Sequence, residues 1–147
     1  MNLWGTDSEV HMALLSKEDC AKLVDNSDEW SHSRTGISSR RRCAPGETHT
    51  GLCLDAARQA LKRAGVSPDQ IGVCIVATLT PDRLTPATAC VLQKELGLGE
   101  DTVCFDLNAA CSGFVYALHT AQCLLAAATR KFGLVIGAEV LSRVTDY

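Results

Sequence analysis

The chain of 147 residues is long enough for one domain with a real core, and with 46% apolar and 21% charged residues it has the make-up of a soluble globular protein. A net charge of −3, with arginines gathered locally rather than spread over a face, argues against a nucleic-acid binder. No apolar run approaches the length of a membrane span, and Met1 to Gly5 has neither a basic region nor an apolar stretch, so neither a membrane segment nor a signal peptide is expected.

Leu3 to Thr6 reads as a short edge strand. Ser16-Lys17-Glu18-Asp19 is a helix start, with Ser16 as N-cap and acids in the first turn, and that helix carries Leu23 and Val24 inward. Ser27-Asp28-Glu29-Trp30 starts a second, short helix. Ile37 to Glu47 reads as a polar loop with three arginines. Thr50 to Ala64 is amphipathic, with Leu54, Ala57, Leu61 and Ala64 recurring at three and four residues and Gly65 placed to cap it. After a turn at Asp69 to Gly72 comes Val73 to Ala77, a continuous apolar run typical of a central strand covered on both faces. Pro86 to Leu96 reads as a helix stopped by Gly97. Val103 to Leu107 and Gly133 to Ile136 are further central-strand candidates. Between them, Ser112 to about Arg130 reads as a helix that is apolar round most of its circumference, through Phe114, Val115, Ala117, Leu118, Ala121, Leu124, Leu125 and Ala126. Such a helix needs protein on several sides. Alternating strands and helices imply an α/β layer with a largely parallel sheet.

Cys111 stands where the strand Val103–Leu107 meets that helix. A thiol beside the first helical turn feels unpaired N–H groups that favour an anion and can make it a thiolate nucleophile. Ala109, Ala110, Ser112 and Gly113 suit a tight turn and leave the sulfur approachable. The competing reading is one more buried cysteine. There are eight cysteines, unevenly spaced and with no Cys-x-x-Cys, so reduced thiols in the cytoplasm are expected. His49 with Cys53 and His119 with Cys123 are each four apart, but neither pair has further ligands in view, and no metal site is expected from them.

The wider series is Asp25-Asn26-Ser27-Asp28-Glu29-Trp30, Arg34-Thr35-Gly36-Ile37, Arg40-Arg41-Arg42, Thr80-Pro81-Asp82, Pro86 with Gln93, Leu96 and Gly97, Asn108 to Phe114, and Leu134 to Glu139. In this order and at these separations it closely resembles β-ketoacyl-acyl-carrier-protein synthase III, a condensing enzyme of the thiolase superfamily, from about Leu3 to Tyr147. The resemblance implies the N-terminal half of a thiolase-like fold: a mixed, mostly parallel sheet with helices on both faces and a buried central helix. Residues 1–147 are expected to form a single domain, with the C-terminal half absent.

The resemblance also implies chemistry. Cys111 matches the nucleophile that takes an acetyl or other acyl group from acyl-CoA, before decarboxylative condensation with malonyl-acyl-carrier protein initiates fatty acid synthesis. Trp30 matches a tryptophan stacked on the CoA adenine, Arg34 a basic residue beside it, and Asn26 the place of a threonine near the nucleotide. Thr85 falls in a loop that closes the partner's acyl pocket across a homodimer interface. Arg40, Arg41 and Arg42 either meet CoA phosphates or the acidic carrier protein, or lie on a solvated loop. No cofactor is expected, acyl-CoA being the substrate; no nucleic acid or membrane partner is expected.

The family's catalytic His and Asn belong to the second half, and His11, His32, His49 and His119 do not occupy matching positions. His119 lies eight residues past Cys111 on one helix, about 12 Å along the axis, too far to be its base. Asp7 stands in place of Gly, His11 of Pro and Lys17 of Asn. The isolated chain is therefore expected to lack condensation activity. Two alternatives stay open: an acyltransferase of specialised metabolism, and a non-catalytic remnant that binds acyl-CoA or associates with a homologue.

Overall fold

The structure, a computed structural model, describes residues 2–16, 18–19, 22 and 28–145, with the backbone alone at 28–31. The chain forms two compact units, Met1–Glu9 with Thr48–Glu139, and Val10–Glu47 with Val140–Tyr147.

The larger unit is built on β3 (Ile71–Ala77), every residue of which is buried. It is flanked by β4 (Val103–Leu107) and β5 (Phe132–Gly137), both parallel to it, in the order β4-β3-β5. The strand's period of two sends its side chains to two cores. Cys74 and Val76 meet Cys53, Ala57 and Leu61 of α2 (His49–Ala64) and Ala89 and Leu92 of α3 (Thr88–Leu96). Val73, Ile75 and Ala77 meet Ala117 and Ala121 of α4 (Gly113–Leu125) on the other face. Each Ile or Val so buried contributes about 1.5–3 kcal/mol. The expected α/β layer with helices on both faces is therefore present. Of the three expected central strands, only β3 is doubly flanked, and β4 and β5 lie to its sides among the described residues.

The helix ends follow local chemistry. Thr48 accepts a hydrogen bond from the Gly51 N–H at 2.9 Å, and Gly65 closes α2 in the left-handed conformation at φ 64°. Gly97, at φ 70°, closes α3 in the same way. The N-terminus of α3 has no side-chain cap of its own. Asp106 of β4 supplies one: its carboxylate accepts from Thr88 N at 2.7 Å and Ala89 N at 2.8 Å. The helix thus begins where the sheet places an anion.

Helix α4 stops at Leu125, short of the expected Arg130, because the chain must return to start β5 at Phe132. It lies close along β5. A Cβ on Gly137 would come 3.1 Å from Phe114, and one on Gly133 would come 3.0 Å from Leu125. Only part of its circumference is covered: Gly113, Ala117 and Ala121 are buried, whereas Phe114, Val115 and Tyr116 are exposed. The sheet covers one face of this helix, and no described element takes the opposite one.

The expected strand at Leu3–Thr6 is not formed. That segment runs over α2, where a Cβ on Gly5 would sit 2.8 Å from the Ala60 carbonyl, and Trp4 meets Phe132 edge-on at 5.4 Å.

In the smaller unit, β1 (Ala13–Leu15) pairs antiparallel with β2 (Arg40–Arg42). Part of the expected polar loop is therefore a strand, with the arginines as its residues. The Asp19 N–H meets Ser16 Oγ at 3.2 Å, as the N-cap reading requires. Leu23 and Val24 lie outside the described residues. The second expected helix is α1 (Asp28–Thr35). No helix of the described residues is long and apolar enough to cross a membrane.

Asp106→Ala removes two charge-assisted bonds at the start of α3 and should cost about 2 kcal/mol of stability. Urea denaturation should show this as a lowered midpoint with an unchanged slope.

Candidate active site

In parallel α/β sheets, ligands bind beyond the carboxyl ends of the strands. In the larger unit three connections leave those ends: 78–87 after β3, 108–112 after β4 and 138–139 after β5. Thr78 N still bonds Leu107 O at 3.1 Å, and Ala138 N bonds Ala77 O at 3.1 Å, so the ladder holds these connections where they begin.

Cys111 lies in the second connection, on the tight turn Ala110–Ser112 that leads into α4, and its side chain is exposed. The buried-cysteine reading is thereby set aside. Ala110, immediately before it, has φ 47°, a left-handed conformation that a residue with a Cβ adopts at a cost. Ser112 N returns to Ala109 O at 3.1 Å, and Asn108 Oδ1 accepts from Ala110 N at 3.4 Å. Gly113 sits buried against the end of the sheet, 3.5 Å from Ala77 as measured from its would-be Cβ. The turn is thus closed by its own backbone and lies next to a helix start.

The other thiols differ in environment. Burial, with the nearby Asp106 and Asp82 charges, pushes Cys53 up to about 12. The hydrogen bond its thiol gives Cys104, together with burial, raises Cys74 as well, and the same bond lowers Cys104, its partner across β3 and β4. Cys90 is raised by partial burial and by Cys104 and Asp106.

The sequence reading missed a polar network at the ends of β3 and β5. His49 is fully buried, and its Nε2 lies 3.1 Å from Ala138 O and 3.0 Å from Thr78 Oγ1. A carbonyl can only accept, so Nε2 carries the proton. Glu139 accepts from Leu79 N at 2.9 Å and Thr80 Oγ1 at 2.5 Å. Asp82 accepts from His49 N, Thr50 N and Thr50 Oγ1 at 2.7–3.1 Å, holding the start of α2. The pattern did carry a signal: His49, Cys53, Ala57 and Leu61 recur every four residues and are the buried stripe of α2. Cys53 Sγ lies 3.9 Å from His49 Nδ1, a core contact. His119 and Cys123 approach to 3.7 Å at the surface.

Thr85 is exposed in the first connection. Arg34 is exposed in the last turn of α1, which also carries Trp30 in its backbone. These two belong to the smaller unit, and Cys111 and Thr85 to the larger. The Trp30 side chain and all of Asn26 lie outside the described residues. A cavity of about 840 Å³ in the larger unit is lined by Trp4, Leu61, Phe114, Leu125 and Phe132 among others, and not by Cys111.

The fold is of the thiolase-like α/β class, as its likeness to solved structures shows. The 3-oxoacyl-(acyl-carrier-protein) synthase III from Aquifex aeolicus VF5 superposes with a TM-score of 0.85 at 42% identity, over 95% of this chain and 44% of that one. The priming β-ketosynthase from the R1128 polyketide biosynthetic pathway does so with a TM-score of 0.85 at 34% identity, over 96% of this chain and 42% of that one. A family profile described as 3-oxoacyl-(acyl-carrier-protein) synthase III matches residues 105–147, the stretch that holds Cys111. The β-ketoacyl-(acyl-carrier-protein) synthase III of Alkalilimnicola ehrlichii is 46% identical over 143 residues, 97% of this chain and 44% of the relative. Over nearly its whole length the chain is similar to 3-oxoacyl-(acyl-carrier-protein) synthase III proteins, and it spans less than half the length of the relatives it matches.

Iodoacetamide at neutral pH should modify Cys111 readily while Cys53 and Cys74 stay protected by burial and raised pKa until the chain unfolds. Peptide mapping against time reads the order.

Proposed function

We propose that the chain performs the acyl-accepting step of a synthase III. The Cys111 thiolate attacks the thioester carbonyl of acetyl-CoA or another acyl-CoA. The tetrahedral intermediate collapses, the CoA thiolate leaves, and the acyl group stays on sulfur. The Cys111 backbone N–H is a natural donor to the oxyanion. The observation that carries this reading is the exposed position of Cys111 on its tight turn, within the stretch the family profile matches.

In the whole protein the acyl-enzyme meets malonyl-acyl-carrier protein. Loss of CO₂ yields a carbanion, which attacks the acyl carbon to form a new C–C bond and frees Cys111. Trp30 stacks on the adenine of CoA and Arg34 stands beside it, with Asn26 near the nucleotide. No cofactor takes part, and the setting is the cytoplasm. We further infer a homodimer for the whole protein, in which the connection bearing Thr85, with Leu84 beside it 90% exposed, reaches the partner's acyl pocket. The histidine and asparagine that serve decarboxylation in the family have no counterpart in residues 1–147, so the isolated chain is proposed to be acylated without condensing.

The likeness to a polyketide priming β-ketosynthase favours a second reading, acyl transfer from Cys111 to an acceptor of specialised metabolism. Both readings share the first step.

Incubation with acetyl-CoA should add one acetyl group per chain by intact mass, mapped to Cys111 and abolished by Cys111→Ala. A folded chain that takes up no acetyl group would overturn the proposal in favour of a non-catalytic remnant. Acetylation at other thiols with Cys111 unmodified would overturn it too.

A further inference from the structure

In the smaller unit His11, Cys43 and Glu47 bring one nitrogen, one sulfur and one carboxylate oxygen within 4.8 Å of one another. His11 is 8% exposed, and among the described residues neither of its ring nitrogens has a hydrogen-bond partner. A buried imidazole without a partner is costly and calls for an explanation. Its Nδ1 lies 3.6 Å from Glu47 Oε2, within ion-pair range of a protonated ring but beyond hydrogen-bond reach. That gap is close to the separation of two ligands on a tetrahedral ion with bonds of about 2.0–2.3 Å.

We propose that His11, Cys43 and Glu47 bind a borderline-soft divalent cation of the zinc type, with solvent as the fourth ligand. The donor set decides the class. Imidazole and thiolate favour zinc-like ions, whereas magnesium and calcium take oxygen ligands. Glu47 is held for the task by two backbone donors, Met12 N on Oε1 at 3.0 Å and Ala44 N on Oε2 at 2.6 Å, and each oxygen keeps a second lone pair. Those bonds, from Ala44 first and then Met12, also hold its carboxyl below the usual range.

Cys43 Sγ–H now donates to Glu47 O at 3.2 Å. On binding, that proton passes to solvent and the sulfur becomes a thiolate ligand. Arg143 Nη2, 3.6 Å from Sγ and anchored on Glu47 O at 2.8 Å, is placed to hydrogen-bond the thiolate from outside and offset its charge. Arg41 reaches the His11 backbone carbonyl at 3.2 Å, fixing the chain there. A cleft of about 380 Å³ lined by Cys43, Glu47 and Arg143 offers the entry path.

His11 precedes β1, and Cys43 follows β2 directly. The ion therefore clamps the two strands at one end of a ribbon only three residues long on each strand, which has little core of its own. This site is independent of any activity of Cys111.

Metal-free chain titrated with cobalt(II) should bind a single equivalent with a thiolate-to-cobalt charge-transfer absorption that zinc displaces. His11→Gln and Glu47→Gln, checked for native circular dichroism, should each weaken binding at least tenfold, Cys43→Ser should abolish the absorption, and Cys123→Ser should leave it unchanged. Bound zinc should also protect Cys43 of the unmodified chain from alkylation, a reading that needs no variant to fold. The proposal is overturned if the unmodified chain shows no such absorption. It is equally overturned if the absorption survives His11→Gln and Glu47→Gln, if it depends on Cys123, or if zinc leaves Cys43 alkylation unchanged.

Discussion

The burial of β3 on both faces is the constraint on which the larger unit depends. Seven consecutive residues, Ile71 to Ala77, are out of solvent, and their alternate side chains feed two separate cores. A shift of one residue would exchange the sets that face α2 with α3 and those that face α4, so the register is strongly specified. The parallel ladders on either side carry that register outward to β4 and β5.

The site inherits its position from this register. Val76 and Ala77 pair with Asp106 and Leu107, which fixes both the anion that starts α3 and the strand end from which the Cys111 turn departs. Across the sheet, Ala77 pairs with Gly137, where the absence of a side chain lets Phe114 pack and brings α4 down onto the strands. The turn at Ala110–Ser112 is held between a strand that cannot slip and a helix that lies close to the sheet. Preorganisation of this kind presents the exposed thiol on a backbone that needs no further ordering.

Much of this was legible in the sequence because it follows from periodicity. The unbroken apolar run of β3, the three- and four-residue spacing of α2, and Gly65 and Gly97 as helix stops each report a local preference that the fold agrees with. Cys111 was legible by its setting between a strand and a helix and by the company of a family motif. What the pattern could not supply was partnership at long range. Asp106 caps a helix 18 residues away, and Thr78 joins His49 to Glu139 only through the folded sheet. Leu3–Trp4 has strand-like composition and takes no place in a ladder, whereas Arg40–Arg42, a charge run with poor strand character, pairs with β1. The two cases show how far pairing overrides propensity in short strands. His11, Cys43 and Glu47 are separated by up to 36 residues in sequence, and only folding makes them neighbours.

Native-state hydrogen exchange, resolved by residue, tests the dependence on β3 most directly. The amides of Cys74 to Ala77 should exchange only through global unfolding, with those of Phe105 to Leu107 and the first turns of α4 following at the same free energy. If the β3 amides exchange as fast as those of the exposed connections, or if the strand before Cys111 opens independently of β3, then the sheet does not set the geometry of the thiol, and the site must be held by something else.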